Sequence, residues 1–358
     1  MSYILVKNPS FRGLHSFVPY RNFESKYFKD ERMKHLAASI LITICCFFLG
    51  CSKEENNGGD NRADSLYPTE LKGTIYYDWA TEGILKISLP DGTGGSFIPD
   101  DSKLNNFDIS RDGKTKLTVV NASTLGQYDV RFTISDINTG AVVEEFIYNG
   151  PGLSAYCKGH LSPDNSLILV TSNEKEDGIT VLKRNGEFVS RIVDINGERL
   201  DFNVSALWLP DNHFLMTHGD YIIRVAPPYT SGTLVKEMDY EDWGELAVDR
   251  NGTQLALRIA NHIHTMGIDG SNLKQVTNSN FTESEPVFSP DGKYLLLGSY
   301  YRYSGEGFGR LWQLSIIPND GRQYTTNPDA EDNSPGVIPV IWKGKEKIES
   351  GSGQMVWR

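Results

Sequence analysis

The sequence predicts an all-β chain built as a six-bladed β-propeller, with seven blades as the alternative, behind a lipoprotein signal and a flexible tether. Two observations carry the propeller. A turn core recurs as Ser110-Arg111-Asp112-Gly113, Ser162-Pro163-Asp164-Asn165, Leu209-Pro210-Asp211-Asn212, Asp249-Arg250-Asn251-Gly252 and Ser289-Pro290-Asp291-Gly292, at intervals of 40 to 52 residues. Each core is also flanked by short apolar runs, such as FDIS before the first and LTVV after it, which favour strands over helices at this length. A four-stranded sheet of about 40 residues cannot bury both faces alone, so the copies must stack, and a ring of such sheets is a propeller. Chance turns in a β-sandwich would not keep five cores in phase.

The clearest copy runs from Ile263 to Tyr300. In Ser289-Pro290-Asp291-Gly292, Pro presets φ for the first central residue, Asp bonds nearby backbone and Gly accepts φ > 0 where the chain re-enters a strand. Asp269-Gly270 closes the other hairpin of the copy. This unit resembles the WD40-like PD40 repeat of TolB-type propellers, which pairs a DG turn with a later SPDG turn. The resemblance runs from about Thr74 to Arg358 and is weakest in the third and last blades. It implies a fold and little about function, because its residues are turn formers.

Taken from the first residue, 1–32 show no periodicity and are expected to be a mis-assigned extension, with translation starting at Met33. Residues 33–50 read as a lipoprotein signal peptide: Met33-Lys34-His35 is basic and Leu36–Leu49 is a 14-residue apolar stretch, too short to span a bilayer. Phe48-Leu49-Gly50 before Cys51 resembles a lipobox, which implies acyl chains on Cys51 and a membrane anchor through them. Ser52-Lys53-Glu54-Glu55 resembles the surface-export signal of some Gram-negative lipoproteins. That implies an outer-membrane protein on the cell surface, with a periplasm-facing one as the alternative. Residues 51–68 then form a polar tether, in which Asp64-Ser65-Leu66 resembles a bacterial O-glycosylation sequon with Ser65 as acceptor. The propeller is expected over 69–358.

The chain has 46 acidic and 35 basic residues, net −11, and seven of the basic ones precede Cys51. That argues against nucleic acid as a partner. Cys45 and Cys46 leave with the signal and Cys51 is lipidated, so Cys157 stands alone and no intrachain disulfide forms. Cys157 is expected to be buried in an inner strand, and the protein to be monomeric.

Innermost strands are expected near Asn106–Ser110, Tyr156–Ser162, Ser205–Leu209, Glu245–Asp249, Glu285–Ser289 and Ile338–Trp342. Gly73–Trp79 and Ile84–Leu89 come before the first of these and are expected to complete the last blade. The SPDG turns share one face of the ring. The opposite face gathers Tyr156, Glu241, Asp242, Trp243, Glu283, Tyr300, Tyr301 and Tyr303, with Glu331 and Asp332 nearby. Aromatic rings beside carboxylates can stack on sugars and bond their hydroxyls, which makes these the ligand-binding candidates. The chain has no G-x-S-x-G elbow, P-loop, HExxH or CxxC pair, and no motif calls for a cofactor. His262 and His264 alternate on one strand and His218 ends a neighbouring one, so these three are the metal candidates. Some TolB-like propellers are lyases that use His-bound metal. The expected function is a binding module for a glycan, peptide or envelope protein. The alternatives are a polysaccharide lyase or hydrolase, and a structural part of an envelope complex.

Overall fold

The computed structural model describes residues 65–125, 127–201, 204–302 and 311–358. The signal, Cys51, the tether as far as residue 64, and Tyr303 lie outside the described residues.

Six sheets form the ring. From the channel outward, blade 1 holds Leu104–Ile109, Thr115–Asn121, Val130–Asp136 and Val142–Tyr148. Blade 2 holds Cys157–Leu161, Leu167–Ser172, Ile179–Lys183 and Phe188–Ile192, followed by a small hairpin of Asp194–Ile195 and Glu198–Arg199. Blade 3 holds Ala206–Trp208, Phe214–His218, Tyr221–Val225 and Gly232–Glu237. Blade 4 holds Trp243–Val248, Gln254–Ile259, His262–Gly267 and Lys274–Gln275. Blade 5 holds Glu283–Phe288, Tyr294–Arg302, Leu311–Pro318 and Ile338–Pro339. The Ile263–Tyr300 copy therefore straddles two blades, contributing the outer half of one and the inner half of the next.

Blade 6 closes the ring. Its inner strand is Met355–Trp357, and Gly73–Trp79, Gly83–Leu89 and Thr93–Ile98 complete it. This corrects the expected inner strand at Ile338–Trp342, since Ile338–Pro339 pairs with the third strand of blade 5 instead. The apolar residues after it serve packing. Val340 is buried, and the Trp342 indole donates to Tyr77 Oη at 2.8 Å. Its ring lies against Gly94, where any Cβ would come within 2.1 Å of Trp342 Cδ2. At the seam, Thr74 N donates to Arg358 O and Arg358 N to Thr74 O. Gly73 is needed there: its φ is +99° and a Cβ would sit 2.4 Å from Arg358 O. Tyr67 also belongs to the folded body, buried with its hydroxyl 2.5 Å from Ile341 O.

Middle strands are covered on both faces by neighbouring blades, so they read as continuous apolar runs; Ile168, Leu169 and Val170 are all buried. The turn cores explain their own sequence. In blades 1, 2 and 5 the core serine donates to the core aspartate at 2.6, 2.6 and 2.7 Å. Its oxygen also accepts the N–H five residues on, from Thr115, Leu167 and Tyr294. Asp249 replaces the serine in blade 4 and accepts from Gln254 N in the same way.

Cys157 is fully buried. Burial, with Asp177 nearby, pushes its thiol up to about 12. The thiolate is the reactive form, so native protein is expected to resist a maleimide at pH 8 and to react only as it unfolds. Rapid stoichiometric labelling of Cys157 by mass spectrometry would contradict this burial.

Candidate functional site

The inner strands surround a channel with a cavity of about 940 Å³. One residue from each inner edge lines its middle: Asn106, Lys158, Ser205, Glu245, Glu285 and Gln354. Five of these stand four residues before a turn core, and Gln354 precedes the inner strand of blade 6. The ring position is set by the repeat, while its chemistry changes from blade to blade.

Two members are conformationally special. Strand register shifts between Gly244 and Ala247 and again between Ser284 and Val287. Each shift is a β-bulge, which re-aims the inserted side chain. Glu245 has φ 55° and Glu285 has φ 52°, a left-handed conformation that costs a non-glycine residue on the order of 1 kcal/mol or more.

The two glutamates end differently. Glu245 Oε1 accepts from Arg258 Nε at 3.0 Å, and Oε2 accepts from Ser284 Oγ at 2.6 Å and Glu285 N at 2.8 Å. Arg258 in turn grips Asp242 through two bonds of 2.8 Å. Arg258 pairs across the strand with Gly244. The equivalent pairing one blade on is Ser284 with Gly298, so blade 5 has no arginine there. An arginine would not fit, because a Cβ at 298 would lie 2.0 Å from Trp312 Cδ1. Among the described residues no hydrogen bond or ion pair reaches the Glu285 carboxylate. Burial pushes its carboxyl up to about 7, helped by Glu245 and opposed by Lys158 and Arg258.

The sequence candidates lie on the face opposite the turn cores, in different settings. Tyr156 is exposed at the channel mouth. Trp243 and Glu283 begin the inner strands of blades 4 and 5, and Glu241 is exposed. Tyr300 Oη lies 3.0 Å from Ser284 Oγ and its ring meets Trp312 edge-on at 5.7 Å. Tyr301 lies in the second strand of blade 5, and Glu331 and Asp332 lie between its third and fourth strands. Glu283 is fully buried between blades. It accepts from Thr277 at 2.9 Å, Thr326 at 3.3 Å and Ser279, and it lies 2.8 Å from His262 Nδ1. His264 Nδ1 is 3.1 Å from His262 O, and burial pushes its pKa down. His218 is buried, 3.6 Å from Glu198. Among the described residues no three His, Cys, Asp or Glu side chains converge as a metal cage. Ser65 is partly buried at the start of the body.

Sequence reasoning missed Glu245, Glu285 and Arg258. The signal was present: a glutamate after a small residue, four before the core, in both GELAVD and SEPVFS.

No family model matches this chain, and no curated protein matches it. Solved structures do. TolB from Acinetobacter baumannii superposes with a TM-score of 0.51 at 18% identity, over 72% of this chain and 63% of its own. The chain thus spans less than two thirds of that relative. The fold is TolB-like. A TolB described as putative, from Agrobacterium tumefaciens, gives a TM-score of 0.50 at 14% identity over 71% of this chain and 87% of its own. A chain of the nidogen/laminin complex gives 0.50 at 13%, over 70% of this chain and 94% of its own. At these identities the likeness describes architecture, and the chemistry of this TolB-like channel rests on its own residues.

Proposed function

We propose that this propeller is a lipid-anchored binding module that admits part of a peptide or protein partner to its channel and seats a cationic group of that partner, an amine or guanidinium, on Glu285. The observation that carries the reading is the unpaired Glu285 carboxylate, held in the channel by a strained bulge whose twin in blade 4 is fully bonded. A desolvated carboxylate gains most from an ionic partner. Asp78, Asp100 and Asp101 also line the channel, and their charge would draw a cation in.

The test is a titration of lysine- and arginine-bearing peptides beside neutral peptides and a glycan array, with wild type and Glu285→Gln. Basic peptides are expected to bind more tightly at pH 8 than at pH 6, because ionised Glu285 is the binding form. Glu285→Gln is expected to weaken them roughly tenfold or more, the scale of a hydrogen bond between charged groups. Saccharide binding that Glu285→Gln leaves unchanged would overturn the reading. The anchor rests on the lipobox-like run ahead of Cys51 and the surface location on Lys53-Glu54-Glu55. Cys51→Ala should abolish acyl labelling, and protease added to intact cells should shave the protein.

A further inference from the structure

The turn-core end of the channel carries chemistry of the opposite sign. Its rim takes one residue from each blade: Arg111, Pro163, Pro210, Arg250, Pro290 and Arg358. Pro is the turn former at the second core position in blades 2, 3 and 5, and arginine stands in that position in blades 1 and 4. Nothing in the turn requires arginine there. The backbone N–H groups of Arg111 and Arg250 make no bond across the turn, just as the prolines cannot. The arginines are therefore replaceable by proline as far as the turn is concerned, and what they add is two guanidinium groups at the mouth where Arg358 also stands.

These charges act on one another. Burial pushes the Arg111 guanidinium down from its ordinary value, and Arg250 and Arg358 push it further; Asp249 opposes them. Burial acts likewise on Arg358, with Arg250 adding to it and Asp108 and Tyr76 opposing. Asp249 is committed within its own turn, and Asp108 is shared between backbone and Arg358. Asp249 accepts from Thr253 N, Thr253 Oγ and Gln254 N at 2.6, 2.8 and 2.9 Å. Asp108 accepts from Ile109 N and Leu161 N, both at 2.8 Å, and stands 3.7 Å from Arg358 Nη2. Arg358 Nε donates to Ile109 O at 3.0 Å and Nη1 to Trp357 O at 3.4 Å, so Arg358 adds charge at the mouth while Arg111 and Arg250 supply the open forks. His160, beside them, is pushed toward its neutral form by burial. Among the described residues no acid pairs with Arg111 or Arg250.

We infer that the rim of Arg111, Arg250 and Arg358 is an oxyanion site, built to take a phosphate or carboxylate group at the turn-core mouth of the channel. Guanidinium forks match the flat pairs of oxygens on such groups and bind them in bidentate fashion. A bound anion would also relieve the mutual repulsion of the three cations. The site is independent of the reading for Glu285, since it uses other residues, on the turn-core face of the ring.

The test uses the full chain with inorganic phosphate and, separately, succinate, read by calorimetry and thermal unfolding. Sodium chloride of equal ionic strength is the control for screening. Phosphate or succinate is expected to raise Tm beyond the chloride control, and the tighter of the two names the group. Arg250→Pro and Arg111→Pro each restore the proline found in three sister turns, and each is expected to weaken the anion roughly tenfold or more. Without anion, Arg111→Pro is expected to melt no lower than wild type, because it removes a repelling charge; a merely structural arginine would lower Tm. Because Arg250 is exposed, Arg250→Gln serves as a second variant that leaves the turn backbone alone. Anion effects no larger than those of chloride, or equal in wild type, Arg250→Gln and Arg111→Pro, would overturn the site.

Discussion

Arg258→Ala is expected to destabilise the propeller by about 3–5 kcal/mol, the usual result of removing one partner of a buried ion pair. The two acids that Arg258 holds differ in exposure, and this decides where the cost arises. The Asp242 side chain is 64% exposed, so water screens its charge. The Glu245 side chain is 19% exposed and is fixed in the inner-strand bulge. Without Arg258 its charge faces Glu285 with only Ser284 Oγ and one N–H for support. The loss should therefore arise mainly at Glu245. Glu245→Gln in the Arg258→Ala background should recover part of it, and Asp242→Asn should recover little. Urea denaturation of wild type, Arg258→Ala, Glu245→Gln and the Arg258→Ala/Glu245→Gln double variant forms the cycle that measures this coupling. No recovery by Glu245→Gln would mean that the packing of the arginine stem matters more than its charge.

What the sequence made legible follows from which features are local. The turn cores could be read because each residue has a reason within five positions: serine to bond the aspartate, glycine to take φ > 0. From those cores the strand order, the face each loop occupies and the joining of both chain ends in one blade all follow. The inner strand of blade 6 could not be read the same way. Met355–Trp357 is three residues long, too short to show a period, and it is defined by pairing with Ile75–Tyr77 far away in sequence. Ile338–Trp342 looked better because it is apolar, but it is apolar to fill space beside Gly94 and Tyr77. Bulges are hidden for a related reason. An inserted residue leaves the apolar pattern intact on either side, so Glu245 and Glu285 read as ordinary strand positions. Glu283 failed in the other direction, since its place at a strand entrance was clear while its burial against Thr277, Ser279 and Thr326 depends on two separate segments. The arginines at two proline positions were visible in the alignment of cores. Their convergence at one mouth needed the ring.

Glu285→Gln is expected to stabilise the protein at pH 8 and to change little near pH 4.5. The carboxyl is raised from 4.5 to about 7 in the folded protein. A folded value above the unfolded one means that the native state holds a proton the unfolded state has released. Stability from this group is complete below about 4.5 and is lost as pH rises through 7. At about 1.36 kcal/mol for each unit, the loss above pH 7 is about 3 kcal/mol, or roughly 5–10 °C in Tm on the scale for domains of this size. Glutamine carries no charge to desolvate, so it removes the pH-dependent part, while the left-handed backbone at 285 is kept and its strain remains. Thermal unfolding of wild type and Glu285→Gln at pH 5, 6, 7 and 8 should show the two Tm values diverging as pH rises. Parallel curves would mean that the carboxylate is well solvated or paired in solution. Divergence would mark Glu285 as a residue that the fold tolerates at a loss, in a channel where its twin in blade 4 shows how the same position is stabilised when its carboxylate is paired. A loss of that kind at a cavity wall is where proteins exchange stability for binding, and a cationic ligand that lowers the carboxyl toward its ordinary value would restore it by linkage.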